Sequence, residues 1–264
     1  MKKLFILLVI CVLDAPIFAD VLGEYYFEGT LGDKIPITLT FAVNGDEIAV
    51  GEITYTKNKN AKPILIVGTI NDGGLYTLAE YMPDGNITGC LSFRINDSFA
   101  DGPVLYDGIW TNPKNYKSYD INVTSIPDSY NANYSRFYDY AKPEDVAGEY
   151  SYREWNAANG QERMGHAKFT TAGEHKLNFD ISVVTPNIAE GHSAPDRPAE
   201  LGKYTYNFFT YENLNECGYS FSAYFYKRFV VIITNSPQPE SNNCFGMGAT
   251  LEGVYIKNKK NTKK

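Results

Sequence analysis

The sequence predicts an all-β fold of two antiparallel meander domains, each a small barrel or barrel-like sandwich of about eight strands. Three observations carry this expectation. The 264 residues include 21 Tyr, 15 Phe and 22 Gly, so strand formers are abundant and repeatedly interrupted by turn formers. Apolar residues recur at every second position in short segments, the period of a strand with one buried face. Turn dipeptides separate those segments at hairpin spacing, and the first half shows no helical periodicity.

The chain opens with a basic Met1-Lys2-Lys3, an apolar stretch from Leu4 to Leu13, and Pro16-Ile17-Phe18-Ala19 ending on a small residue, the layout of a cleaved signal peptide. That stretch is about ten residues long, against roughly 20 for a membrane-spanning helix. The protein is therefore expected to be periplasmic or secreted and not membrane-spanning. Ile10 stands before Cys11 where lipoprotein processing needs a small residue, so an ordinary leader is expected. In a eukaryotic host, Asn86-Ile-Thr, Asn96-Asp-Ser, Asn122-Val-Thr and Asn133-Tyr-Ser would be glycosylation acceptors; in a bacterium they are turn chemistry.

In Ile35-Pro-Ile37-Thr-Leu39-Thr-Phe41-Ala-Val43 the apolar side chains share one face. Asn44-Gly45 then favours a hairpin that sends the chain back through Glu47 to Thr56. Lys57 to Lys62 turns, Pro63 to Ile70 runs out, Asn71-Asp-Gly-Gly74 turns, and Leu75 to Tyr81 returns. Asp84-Gly85 leads into Asn86 to Phe93, and Val104 to Trp110 and Tyr116 to Val123 complete the first meander. From Ser125 to Asp145 the pattern dissolves into prolines and asparagines interleaved with Tyr130, Tyr134, Phe137, Tyr138 and Tyr140, more apolar area than a free linker carries. Gly148-Glu-Tyr150-Ser-Tyr152 then echoes Gly23-Glu-Tyr25-Tyr26-Phe27, which suggests a duplicated plan.

In the second half Lys168 to Thr170, Leu177 to Val183, Tyr204 to Tyr211, Cys217 to Tyr226, Phe229 to Thr234 and Leu251 to Ile256 read as strands, and Asn187 to Pro198 as a loop. Within the fourth, Cys217, Tyr219, Phe221, Ala223 and Phe225 form the expected core face, leaving Gly218, Ser220, Ser222, Tyr224 and Tyr226 on the outer one. The domains are thus a leader over 1–19, an N-terminal β domain over 20–126, an aromatic-rich connector over 127–145, a C-terminal β domain over 146–257 and a basic tail over 258–264.

The formal net charge is −7, and loss of Lys2, Lys3 and Asp14 with the leader makes it slightly more negative. An acidic balance argues against a nucleic-acid partner. The tail reads as a frayed solubilising segment. Removal of Cys11 leaves Cys90, Cys217 and Cys244 in an oxidising compartment, an odd count. A Cys217–Cys244 disulfide is favoured over either pairing with Cys90, closing a loop of about 26 residues worth roughly 3 kcal/mol in the chain-entropy picture. Cys90 is then a buried free thiol.

The search for chemistry returns little. His166, His175 and His192 show no zinc-ligand spacing, so no metal site is expected. Ser220 lacks the second glycine of a nucleophile elbow, and Gly246-Met-Gly248 breaks the dinucleotide fingerprint and leads into a strand. Glu80 with Asp84, and Glu47 with Glu52, are the carboxylates to consider for a glycosidase, though solvated faces are the commonest role of such groups. No catalytic residue and no cofactor is called for, and the chain is not expected to be an enzyme. Trp110 reads as a core or barrel-end residue. Tyr224 and Tyr226 are the candidate binding surface, a flat apolar body with a polar tip that suits a sugar or a protein interface.

Gly29-Thr-Leu-Gly32, Pro36-Ile37, Leu78-Ala-Glu-Tyr81, Gly85-Asn-Ile-Thr-Gly89 and Gly108-Ile-Trp-Thr-Asn-Pro113 resemble repeats of poorly characterised secreted bacterial β-repeat proteins. The second half, with Gly148-Glu-Tyr150, Cys217, Cys244-Phe-Gly246 and Gly253-Val-Tyr255-Ile-Lys257, is similar to a domain of bacterial envelope proteins associated with lysozyme-inhibitor-like sequences. The resemblance implies a small antiparallel barrel in each half and the Cys217–Cys244 pairing. The resemblance transfers no function by itself; with the export signal and the failure of every catalytic motif it leads to the expectation of an exported, non-catalytic binding protein, an inhibitor of a cell-wall hydrolase or toxin whose partner is a protein. A lipocalin-like carrier of a small apolar ligand and a glycan-acting hydrolase are the alternatives. Intact-mass measurement of the unreduced, processed protein after thiol labelling checks the cross-link. Label on Cys90 alone is expected, and label on both Cys217 and Cys244 contradicts the pairing.

Overall fold

The computed structural model describes residues 21–71, 73–97, 102–125, 141, 143–156, 161–185, 190–195, 197–202, 208–213, 219–235 and 249–258. The protein is all-β. Eight strands, β1 (Val21–Leu31), β2 (Ile35–Asn44), β3 (Ile48–Tyr55), β4 (Ile64–Ile70), β5 (Leu75–Tyr81), β6 (Ile87–Asn96), β7 (Val104–Thr111) and β8 (Ser118–Ser125), form a closed antiparallel barrel in chain order. Closure comes from β8 returning beside β1, with Gly29 opposite Val123, so the barrel has no open edge.

A four-residue helix, α1 (Pro143–Val146), precedes the second sheet of β9 (Gly148–Asn156), β10 (Gln161–Gly173), β11 (Lys176–Val184), β12 (Glu190–Ser193), β13 (Ala199–Glu200), β14 (Phe208–Asn213), β15 (Tyr219–Phe225), β16 (Phe229–Thr234) and β17 (Gly253–Lys257). Its last strand pairs with its first, as in the barrel, with Tyr255 opposite Tyr152. The sheet curls but stays open between β14 at one end and β12 and β13 at the other. Asn187 to Pro198, read above as loop, contains β12 instead: backbone pairing of Ile181 with Ser193 and Val183 with Gly191 makes a short strand that no side-chain pattern announces. Among the described residues no helix is long and apolar enough to cross a membrane.

Turn chemistry sets the register. The Asn44-Gly45 hairpin forms, but the left-handed residue is Glu47, at φ 60°. Asn44 Oδ1 accepts the N–H groups of Asp46 (3.1 Å) and Ile48 (3.0 Å), and its carbonyl accepts from Glu47 N, so the asparagine side chain organises a three-residue connection. Asn71 does the same for Gly73 and Leu75, with Gly74 supplying the positive φ.

Each half is filled by its own side chains. Phe27, Leu39, Phe41, Ile53, Ile66, Leu78 and Phe93 pack the barrel interior, and Tyr25 and Tyr76 close one end, where Tyr25 donates to Asp97 at 3.0 Å. Phe169, Phe179, Phe209, Phe221, Ala223 and Phe225 pack the second half, the last three being the face of β15 that alternation singles out. Tyr150 and Tyr255 each donate to a backbone carbonyl four residues upstream, Val146 and Leu251, both at 2.7 Å. These two phenols are thus satisfied, and burial carries both well above the ordinary phenol range.

A third cluster joins the halves. Ala42, Ile48, Val50, Leu65, Val67 and Tyr81 on the outer face of β2 to β5 pack against Tyr226, Phe229, Val231, Val254 and Ile256 of the second sheet. Barrel strands that meet this seam are buried on both faces, so Phe41-Ala42-Val43, Ile48-Ala49-Val50 and Leu65-Ile66-Val67 are continuous apolar runs.

Candidate functional site

The inward positions of β5 are Tyr76, Leu78 and Glu80, at the strand's period of two. Tyr76 lies at the closed end of the barrel; the opposite end therefore receives a carboxylate. Glu80 is 1% exposed. Its Oε1 accepts the Trp110 indole N–H at 2.6 Å and the Tyr55 hydroxyl, and its Oε2 accepts the Thr88 hydroxyl at 3.0 Å. Burial raises the Glu80 pKa above the usual carboxylate range, against the opposing pull of those three donors. Burial first, and then the adjacent Glu80 charge, drives the Tyr55 phenol well above its ordinary value.

Gly89 stands opposite Glu80 on β6. A Cβ there would lie 2.3 Å from Trp110 Nε1 and 2.7 Å from the Glu80 carboxyl carbon, so only glycine leaves room for the indole over the acid. The knot thus draws on β3, β5, β6 and β7, and it gathers Glu80, Thr88, Gly89 and Trp110 from three of the sequence motifs quoted above.

Above the knot lies a recess of about 330 Å³ at the barrel mouth, walled by Leu31, Ile35, Ile64 and Tyr119 with Asn112, Asn115 and Lys117 at its rim. Two larger recesses adjoin it, one of about 650 Å³ between Lys62, Pro63, Lys227 and Arg228, and one of about 680 Å³ along Asp84, Asn86, Lys114 and Lys257. Met82 borders all three, so together they make one trough where the barrel mouth meets the second sheet. The turn carrying Met82 is clamped: Met82 N–H donates to the Asn86 carbonyl at 2.9 Å, Asp84 Oδ1 accepts Asn86 N–H at 3.0 Å, and Arg153 of β9 donates to Asn86 Oδ1 at 3.3 Å. The backbone N–H of Asn86 is the main cause that lowers the Asp84 pKa.

Tyr224 and Tyr226 are elsewhere. Tyr226 is buried in the seam and stacks on Phe229 at 4.5 Å. Half-buried Tyr224 stacks on Phe208 at 5.7 Å and donates its hydroxyl to Asp46 of the β2–β3 turn; burial, then Asp46, pushes its pKa up to about 12. The outer face expected to meet a partner therefore meets the barrel of the same chain. Cys90 is half-buried on β6, and Cys217 and Cys244 lie outside the described residues. His166, His175 and His192 each face a separate carboxylate, Glu149, Glu174 and Asp180. Among the described residues no three His, Cys, Asp or Glu side chains gather as a metal site. Ser220 is buried in β15, and Glu52 lies on β3 while Glu47 is in its preceding turn. Glu80 is no solvated-face acid, and the signal for it was available: a charge at an inward strand position, in step with Tyr76 and Leu78.

Glu80→Gln keeps the acceptor for Tyr55 and Trp110 and offers its amide N–H to Thr88, so the fold is retained. Glu80→Leu leaves buried donors without an acceptor and costs about 2 kcal/mol or more. The native acid binds its proton more tightly folded than unfolded, so its contribution to stability falls as pH rises from about 4.5 through the raised folded value. Urea unfolding across acid to neutral pH should therefore show native stability declining relative to Glu80→Gln as pH rises; a difference independent of pH contradicts this.

Comparison of the chain with protein-family models, with curated proteins and with solved structures finds no match.

Proposed function

We propose that the protein is an exported, non-catalytic binding protein that holds its ligand in the trough between the barrel mouth and the second sheet. The observation that carries this reading is the contrast between filled interiors and an open, built recess: ring stacks such as Tyr76 on Phe93 at 5.1 Å and Phe179 on Phe209 at 5.5 Å occupy the space that a lipocalin-like carrier needs for cargo. A hydrolase reading is weaker, because the acids bordering the trough are Glu80, sealed beneath its donors, and Asp84, tied to Asn86. Export rests on the leader.

A second reading, inhibition of a basic cell-wall hydrolase or toxin, is favoured by a different surface. Val104, Tyr106 and Ile109 on β7 are each more than 40% exposed, beside Glu28, Asp107 and Asp120. An apolar patch with an acidic rim suits a cationic protein.

A thermal-shift screen of soluble glycans, peptides and basic hydrolases, repeated on Met82→Trp, separates the two. Stabilisation by a ligand that is recovered unchanged, and that Met82→Trp abolishes, is expected. Stabilisation that persists in Met82→Trp but disappears in Tyr106→Asp moves the site to β7, and turnover of the ligand overturns the non-catalytic reading.

A further inference from the structure

The chain is acidic overall, with 31 Asp and Glu against 24 Lys and Arg, yet the trough reverses that sign. Lys62, Lys227 and Arg228 rim its inter-domain end, Lys257 borders both larger recesses, and Lys114 and Lys117 stand at the barrel mouth. The carboxylates bordering the same space are Asp84 and the sealed Glu80. Lys257 donates to the Asp145 carbonyl and lies 5.7 Å over the Tyr150 ring, contacts that hold it at the border of the two larger recesses. Among the described residues no carboxylate forms an ion pair with Lys62, Lys114, Lys117 or Arg228. Cations set along a concave, partly apolar wall focus a positive field into it.

The rest of the lining narrows the ligand. Asn112 Oδ1 accepts the Lys114 N–H at 2.8 Å and Asn115 Oδ1 the Lys117 N–H at 3.1 Å. Their oxygen ends are thus engaged by the turn backbone, and the amide N–H groups remain to donate to an acceptor-rich ligand. Between the cations lie the apolar surfaces of Met82, Pro83 and Ile256. An anionic lipid would want its cations gathered at one end and an enclosed apolar space for its chain; here the cations are spread along an open trough and the interiors are full. An acidic peptide would gain most from an unpaired strand edge, whereas β4, β5, β6, β7 and β17 are each paired on both sides.

We infer that the trough binds a linear acidic oligosaccharide, its carboxylates met by Lys62 and Arg228 at one end and by Lys114 and Lys117 at the other. This rests on the trough being the binding site. Titration calorimetry on the full processed chain uses hexagalacturonate, a hyaluronate hexasaccharide and tetrasialic acid, each beside its methyl ester, together with phosphatidylglycerol vesicles. At least one acid should bind. Its affinity should fall about tenfold or more on esterification, and likewise in Lys62→Glu/Arg228→Glu and in Lys114→Glu/Lys117→Glu, and should weaken as salt is raised. These side chains are at the surface, so unchanged circular dichroism and melting separate lost binding from lost folding. Binding of no acid, equal binding of acid and ester, indifference to both double reversals, or binding of vesicles alone each overturns the inference. An ester that binds the native chain but not Met82→Trp shows that the trough is a site without acid preference. An acid that binds Met82→Trp as well as native protein removes the trough reading itself.

Discussion

The contact on which the structure depends is the apolar seam between the outer face of β2 to β5 and the outer face of β16 and β17. A small closed barrel ordinarily shows water its outer face and needs only alternate apolar residues. Here Val50, Leu65 and Val67 point away from the barrel interior and are nevertheless buried, because Phe229, Val231 and Val254 cover them. Tyr224 adds a polar tether by reaching Asp46 in the hairpin turn, and Arg153 adds another at Asn86. The seam fixes the second sheet beside one end of the barrel. Without it Lys227, Arg228 and Lys257 would not stand over Met82, and the trough would not exist.

At that end of the barrel a second constraint operates. The opposite end is closed by aromatic packing around Tyr25 and Tyr76, but the mouth carries a buried acid held by three donors. A buried carboxylate is costly unless its lone pairs are occupied, and Glu80 meets that condition by drawing side chains from three other strands to one point. The knot keeps Trp110 and Tyr55 in place as the floor of the recess, and Gly89 is the space that makes it fit. The acid thus shapes the recess while staying buried beneath its donors.

Much of this architecture was legible from residue order alone. Alternation in Ile35 to Val43 and in Phe221 to Phe225, with asparagine and glycine at the turns, marks the strands and their core faces. Three things were not. Alternation says which residues leave the barrel interior but not what covers them, so Tyr226 reads as an exposed aromatic when it is seam core. Likewise, β12 forms by backbone pairing to β11, and backbone groups carry no sequence signature. The trough was illegible for a related reason. Lys62, Lys114, Arg228 and Lys257 are scattered in sequence, and only the seam brings them to one wall.

If the seam is what makes the two halves one molecule, they should unfold together. Native-state amide hydrogen exchange along a urea series, read in β3 and β4 of the barrel and in β16 and β17 of the second sheet, measures this directly. Shared opening free energies and a common urea dependence are predicted for the native chain, separating into two sets when Val231→Asp places a charge in the seam. Independent opening of β16 and β17 in the native chain, at lower free energy and with β3 and β4 still protected, would contradict the account.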